Sequence, residues 1–281
     1  MARIPPGMSL EDLDTILPRL VEDGLPGGGE FLVADLGDDE RSPRLIALLV
    51  WHGYLPMGGM GMLLPKMHLE RCLLFGPGSV HAGRKVRRRA RGFRLTLDQA
   101  WPVVVKSVQE HTFTTRKGDC WLSDELSQAY QAVNHVTGQW RRGGVAFHSV
   151  ELWHTASGDL VAGEIGYTCG AVYSSCTGFS LKEKYPGAGS VQLASLGRWL
   201  ERCGFEVWDL GMEMSYKLEL GCKTVPRDEW ARLIRSLRDA AVPLHAPQGD
   251  EADAERLLAG APAGASAPEC SAPEAAALRP G

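Results

Sequence analysis

Apolar residues along this chain follow two spacings, and where each holds decides how the chain divides. An amphipathic stretch before Gly24 predicts a short N-terminal helix. The loop Gly24–Gly29 then separates it from an apolar strand, Phe31–Ala34. Residues 30–95 show no sustained period and are rich in Gly, Met and Leu. From residue 96 the pattern becomes regular. Thr96 with Gln99 reads as a capping box for a helix carrying Trp101 and Val104. Ser123, followed by Asp124 and Glu125, caps a second helix with Leu126, Ala129, Tyr130 and Val133 on one face, and Gly138 as its stop. Val145–His154 and Leu160–Thr168 read as strands joined at Ala156–Asp159, and Gly170 turns the chain into a third, Ala171–Cys176. After the Pro186–Gly187 turn, Leu193, Leu196, Trp199 and Leu200 stripe a helix over Ser190–Cys203 that Gly204 ends. Phe205–Asp209 is a short strand and Arg227–Ala240 a last helix. The order βββαβ, with helices before and after, predicts an α/β (α+β) fold with a central, mostly antiparallel sheet. No internal repeat is present.

Composition narrows the class. The chain has 281 residues, 44% apolar and 23% charged, ordinary for a globular protein. Its longest apolar run, Leu45–Trp51, is seven residues, whereas a membrane span takes about 20. The N-terminus lacks the apolar core of a secretion signal. Seven cysteines without regular spacing form neither a disulfide framework nor a zinc site. A reducing, cytoplasmic setting is expected. Residues 247–281 carry six acids and two arginines, so residues 1–246 sum to zero. From Ala259 onward, 18 of 23 residues are Ala, Pro, Gly or Ser, which marks a disordered tail. A chain ending near Ala246 is expected to keep its thermal midpoint.

Candidate chemistry is sparse. Residues 81–94 hold seven cations and no acid: Arg84, Lys85, Arg87, Arg88, Arg89, Arg91 and Arg94. Such a run matches a phosphate backbone, and equally a solvated basic loop or a localisation signal. The glycine-rich pieces lack the Lys-Ser/Thr of a nucleotide loop, and no His-Glu-x-x-His or Gly-x-Ser-x-Gly occurs, so no metal is assigned. Cys169, Cys176 and Cys203 read as core residues. Three acids lie in or just after apolar strands: Glu164, Asp209 and Glu213. An acid there aligns a base, anchors a cation or caps the next helix.

The order of several blocks resembles the leucyl/phenylalanyl-tRNA–protein transferases over roughly residues 30–240. The blocks are Trp121-Leu122-Ser123 with Tyr130, His148-Ser-Val-Glu-Leu-Trp153, Leu160-Val-Ala-Gly163, Gly178-Phe179-Ser180, Asp209, and Leu220-Gly-Cys-Lys-Thr-Val-Pro-Arg227. The resemblance implies a domain like the GCN5-related acetyltransferases (residues 96–246), a small N-terminal domain (1–95) ending in a basic tRNA-binding segment, and a disordered tail (247–281). It implies transfer of Leu or Phe from aminoacyl-tRNA onto an N-terminal Arg or Lys of a protein, marking it for degradation. No cofactor, acetyl-CoA or metal takes part, and the protein is expected to act as a monomer away from any membrane. Arg84, Lys85, Arg87, Arg88, Arg89 and Arg91 would contact the tRNA, and Trp121 its terminal adenosine. Cys176, Phe179 and Ser180 would line the aminoacyl pocket or the acceptor side.

The chain departs from the family pattern at informative places. Cys176 stands where an acceptor-binding acid is expected, and Gly211 where the element after Asp209 carries an amide. Leu63–His68 replaces a Trp-Trp-Ser-Pro element, and Glu164 and Glu213 replace apolar residues. Asp209 is expected to receive the amine's proton, with Glu164 and Glu213 as candidate partners for the acceptor's cation. The sharpest expectation is that Glu164 and Asp209 face one cavity. Two other readings are a catalytically lapsed RNA-binding protein and an acetyl-CoA-dependent N-acetyltransferase. The latter needs an Arg/Gln-x-x-Gly-x-Gly/Ala loop after a strand, whereas Arg142-Gly143-Gly144 precedes one.

Overall fold

Residues 145–180 form three long antiparallel strands, as their alternation predicts, within a seven-stranded sheet that has helices against both faces. A computed structural model describes residues 2–259 apart from 23, 26, 27, 39, 77 and 119. The chain opens with β1 (Ala2–Arg3), α1 (Leu10–Glu22), β2 (Leu32–Val33), α2 (Arg41–Trp51), β3 (Leu55–Gly59) and β4 (Met62–Lys66). It continues with β5 (Glu70–Phe75), α3 (Arg84–Arg89), β6 (Phe93–Leu97), α4 (Trp101–Arg116), α5 (Asp124–Val133), β7 (Ala146–His154) and β8 (Leu160–Cys169). It ends with β9 (Val172–Ser180), α6 (Ala188–Cys203), β10 (Val207–Asp209), α7 (Ser215–Leu220), β11 (Lys223–Pro226), α8 (Arg227–Leu237) and α9 (Ala254–Leu258).

The sheet order is β11-β5-β10-β9-β8-β7-β6, and only the β9–β10 pairing is parallel. Successive side chains of a strand leave opposite faces, so two cores result. Val172, Ile165 and Val207 pack with Leu17, Leu49, Val104, Tyr130 and Ile234 on one face. Tyr173, Val161 and Trp208 pack with Val191, Leu196, Trp199 and Leu257 on the other. Among the described residues, no helix is long and apolar enough to cross a membrane.

Several expectations need correction. The boundary at residue 95 does not separate two packing units, because β5 sits inside the main sheet between β11 and β10, and β6 is its far edge. Residues 30–95 are not irregular: α2 buries Leu45–Val50 on all sides, so no amphipathic stripe betrays it. Thr96 is no helix cap. It lies in β6 and donates to Glu151 at 2.6 Å, while the helix begins at Trp101. Ser123 does cap α5, accepting from the Leu126 N–H at 3.2 Å, but that helix ends at Val133, before Gly138. β9 runs four residues beyond Cys176, and the last predicted helix stops at Leu237.

Part of the expected tail, 247–281, is ordered structure. Asp253 accepts from the Arg256 N–H at 2.9 Å and opens α9, whose Ala254, Leu257 and Leu258 are buried against α6. A backbone bridge joins Asp253 to Arg94 of β6. Three apolar positions beside an Ala/Pro-rich run give little periodicity, which is why this docking turn was unreadable. The remainder of the predicted tail, 260–281, lies outside the described residues.

Candidate functional site

The site is organised by an irregularity in β9. Ile165 pairs with Thr177 and Gly166 with Ser175, so Cys176 is the extra residue of a bulge. Bulges re-aim side chains and recur beside functional sites. On the regular side of this bulge, neighbouring serines send their hydroxyls to opposite faces. Ser174 donates to Asp209 Oδ2 at 3.1 Å, and Ser175 donates to Glu164 Oε1 at 2.6 Å. Asp209 and Glu164 therefore do not share a cavity: the sheet lies between them. That corrects the expectation that one site holds both.

On the first face, β10 ends by delivering Asp209 to Arg71 of β5, both 1% exposed. Arg71 also donates to the Gly53 carbonyl at 2.8 Å and stacks 4.4 Å from the Trp230 ring. Trp230 Nε1 donates to the same carbonyl at 3.0 Å. Gly53 has φ +85°, and a Cβ there would lie 2.7 Å from Trp230 Nε1, so no other residue fits. Asp209 Oδ1 accepts the Gly211 N–H at 2.8 Å. Oδ2 is filled by Arg71 and Ser174, which leaves Oδ1 with one free lone pair.

The loop after Asp209 is tied down by lysines. Lys217 Nζ donates to the carbonyls of Leu210 and Met212, and Lys66 Nζ lies 3.5 Å from Met212 Sδ and 3.8 Å from Glu30 Oε2. Burial lowers the Lys217 pKa. Next to them His68 is buried, and desolvation followed by the fields of Arg71, Lys66, Lys217 and Arg227 pushes its pKa down to about 2. It is neutral at ordinary pH. This concentration of positive charge around one buried carboxylate was not foreseen. Its members are scattered through the sequence, and only the conjunction of β4, β5 and α7 assembles them.

On the opposite face Glu164 is 3% exposed and meets only neutral donors: Tyr173 at 3.1 Å, Ser175 at 2.6 Å and Gln192 at 3.1 Å. Burial raises its pKa, against the pull of these hydrogen bonds. The expected cation partner is absent among the described residues. Cys176 packs on the Asp209 face, and burial, then Glu164 and Asp209, raise its thiol pKa, so it is no activated nucleophile. Phe179 and Trp121 pack against the same core as Cys176. Ser180 faces the start of α6, where a Cβ on Gly189 would lie 3.2 Å from its Oγ. Glu213 is exposed and accepts from Thr224, outside the buried site.

The basic run becomes α3. Val86 and Ala90 anchor it to the α6 core, while Arg84, Lys85, Arg87 and Arg88, and Arg91 just beyond, are exposed. Among the described residues none of them has a carboxylate within ion-pair distance. Arg89 is half-buried at the turn before α6, where a Cβ on Gly187 would lie 2.5 Å from its Nη1.

The most specific sequence blocks serve as scaffold. Glu151 accepts from Ser149 at 2.6 Å, Thr96 at 2.6 Å and the Ala100 N–H at 3.1 Å, fixing the start of α4. Arg227 donates to the carbonyls of Met67 at 2.8 Å, His68 at 3.2 Å and Gly29 at 3.2 Å. It thereby clamps the loop that carries His68.

Comparison with known proteins agrees with these blocks. The sequence profile of the leucyl/phenylalanyl-tRNA protein transferases matches residues 74–235. The chain is 30% identical to the leucyl/phenylalanyl-tRNA–protein transferase of Azotobacter vinelandii over 202 residues, covering 70% of this chain and 80% of that protein. The enzyme of the same name from Shewanella pealeana is 29% identical over 175 residues, 61% of this chain and 67% of that one. Among solved structures, that of FemX has a TM-score of 0.42 at 12% identity, covering 77% of this chain and 75% of that chain. With more than half of its residues matched by the family profile, the chain belongs to the leucyl/phenylalanyl-tRNA–protein transferase family.

Proposed function

We propose that this protein moves an aminoacyl group, Leu or Phe, from a tRNA onto the N-terminal amine of a protein that begins with Arg or Lys. The observation that carries the reading is the family match over residues 74–235, which spans both the unpaired cations of α3 and Asp209 itself. α3 holds the tRNA by its phosphates. The ester it presents is already activated, so positioning supplies much of the rate. The acceptor's neutral amine attacks the ester carbonyl, the new C–N bond forms, and the C–O bond to the tRNA ribose breaks. The amine's proton leaves through the free lone pair of Asp209 Oδ1 and reaches the departing ribose oxygen. Lys66, Arg71, Lys217 and Arg227 give the site a positive field that favours the oxyanion. No cofactor or metal enters this scheme, and it operates in the cytoplasm on a monomer.

The test is incubation with tRNA charged with radiolabelled Leu or Phe and peptides that differ only in their first residue. Label is expected on Arg- and Lys-starting peptides and not on one starting with Ala. The pairing of Asp209 Oδ2 with Arg71 and Ser174, which leaves one lone pair on Oδ1 open, favours a second reading, a lapsed enzyme that still binds tRNA. Binding without transfer from either charged tRNA would establish that alternative.

A further inference from the structure

A cleft of about 470 Å³ lies between α1 and the ends of α2 and α8, and Asp209 and Arg71 are not among its lining residues. Its charged lining begins with Asp14 of α1, whose two oxygens each have one partner. Oδ1 meets His52 Nε2 at 2.6 Å and Oδ2 meets Arg142 Nη2 at 2.6 Å. His52 Nε2 is therefore assigned as donor and Nδ1 as acceptor. Burial lowers the His52 pKa, outweighing the pull of Asp14, so the ring adds no charge. Arg238, just past α8, is different. Its Nη1 lies 3.1 Å from the Trp51 carbonyl and 3.5 Å from His52 Nδ1, and its plane sits 4.8 Å from the Trp51 ring. Among the described residues no carboxylate lies within ion-pair distance of it. The Nε atoms of Arg142 and Arg238 are both buried without a hydrogen-bond partner.

A half-buried guanidinium with unused donors is costly unless something negative completes it. Nη1 is taken by Trp51 and His52 and Nε is buried, so among the described residues Nη2 is the donor of Arg238 left to meet an oxyanion in a charge-assisted hydrogen bond. Gln139 supplies a further polar group and Trp140 a flat wall at the same cleft. Opposing it are Asp14 in the lining, Glu11 on the exposed rim and Asp239 next to Arg238 in the chain.

We propose that this cleft binds an oxyanion, a carboxylate or phosphate group carried by a small molecule, on Arg238. The site is independent of the transferase reading, yet the turn Trp51-His52-Gly53 joins them. The carbonyl of Trp51 holds Arg238, and that of Gly53 holds Arg71 and Trp230. A ligand on Arg238 therefore stiffens the turn that positions the Arg71–Asp209 pair.

Calorimetric titration of the full chain with inorganic phosphate, and separately with acetate, at constant ionic strength tests this. Saturable binding of one or both is expected, and the tighter anion identifies the group carried. Arg238→Gln should weaken it about tenfold or more, whereas Arg232→Gln on the exposed side of α8 should leave it unchanged. Should Arg238→Gln not fold, Glu11→Gln removes the repelling rim acid and should tighten binding about twofold. No saturable heat with either anion, equal affinity in Arg238→Gln, or an affinity that Glu11→Gln does not improve would overturn the site.

Discussion

Asp209 ends β10 with its carboxylate buried against Arg71. The sequence marks it as an acid at a strand's end, which leaves open whether it receives a proton or holds a neighbour in place. The structure shows that three of its four acceptor positions are taken, two by Arg71 and Ser174 and one by Gly211. Among the described residues Arg71 has no other carboxylate, and its remaining contacts are the Gly53 carbonyl and the Trp230 ring. Asp209→Asn therefore strands a buried charge and is expected to cost about 3–5 kcal/mol of stability. Glu164→Gln removes a carboxylate that meets only neutral donors, so its cost should stay below about 2 kcal/mol. Urea denaturation of both variants decides the matter. A midpoint that Asp209→Asn leaves in place would mean that Gly53 and Trp230 suffice for Arg71. Any loss of transfer in that variant must be read against its stability, since an unfolded fraction also lowers kcat/KM.

At the scale of elements, the strands and helices with a clean period were legible and the others were not. β7, β8 and α6 lie within two residues of where alternation and the Leu193-Leu196-Trp199-Leu200 stripe place them. α2 was illegible because burial on every side erases the polar face that a period needs. The Thr96–Gln99 pair has the spacing of a capping box, but Glu151 from a strand 55 residues away takes the Thr96 hydroxyl, a competition invisible to local reading. α9 was lost against the low-complexity chain that follows it, and it carries a reversal of expectation. Leu257 and Leu258 are 1% and 2% exposed, and burying two such side chains contributes about 3–6 kcal/mol. A chain cut after Ala246 loses both and uncovers their seat on α6. Its thermal midpoint should fall by about 6 °C or more, while a chain cut after Ala259 should keep the full-length value. Equal midpoints for the two truncations would show that α9 rests on the surface without supporting it.

For the whole molecule, charge placement matters more than charge total. The net charge of -4 repels a polyanion, and residues 1–246 sum to zero, so any affinity for tRNA must come from a local surface. The seven-cation run was legible as such a surface. What the sequence did not reveal is how α3 holds it. Val86 and Ala90 face inward, which leaves Arg87 and Arg88 exposed and, among the described residues, without a carboxylate partner, Arg87 Nε donating to the Ala82 carbonyl at 2.9 Å, while Arg89 packs at the Gly187 turn. These positions predict unequal contributions. Each phosphate contact releases counterions and adds about 0.9 to the slope of log affinity against log salt. Arg87→Ala with Arg88→Ala should therefore lower the slope for tRNA by about two. Adding Arg89→Ala should lower it by less than one further unit, because that side chain is half-buried at the Gly187 turn. The anchoring residues are untouched, so the variants should unfold at the same urea concentration as the parent. Filter binding between 50 and 200 mM salt, the range over which such slopes are measured, provides the readout. A slope unchanged in the double variant would remove α3 from the tRNA surface, and three equal decrements would show that Arg89 leaves its turn to meet the phosphate.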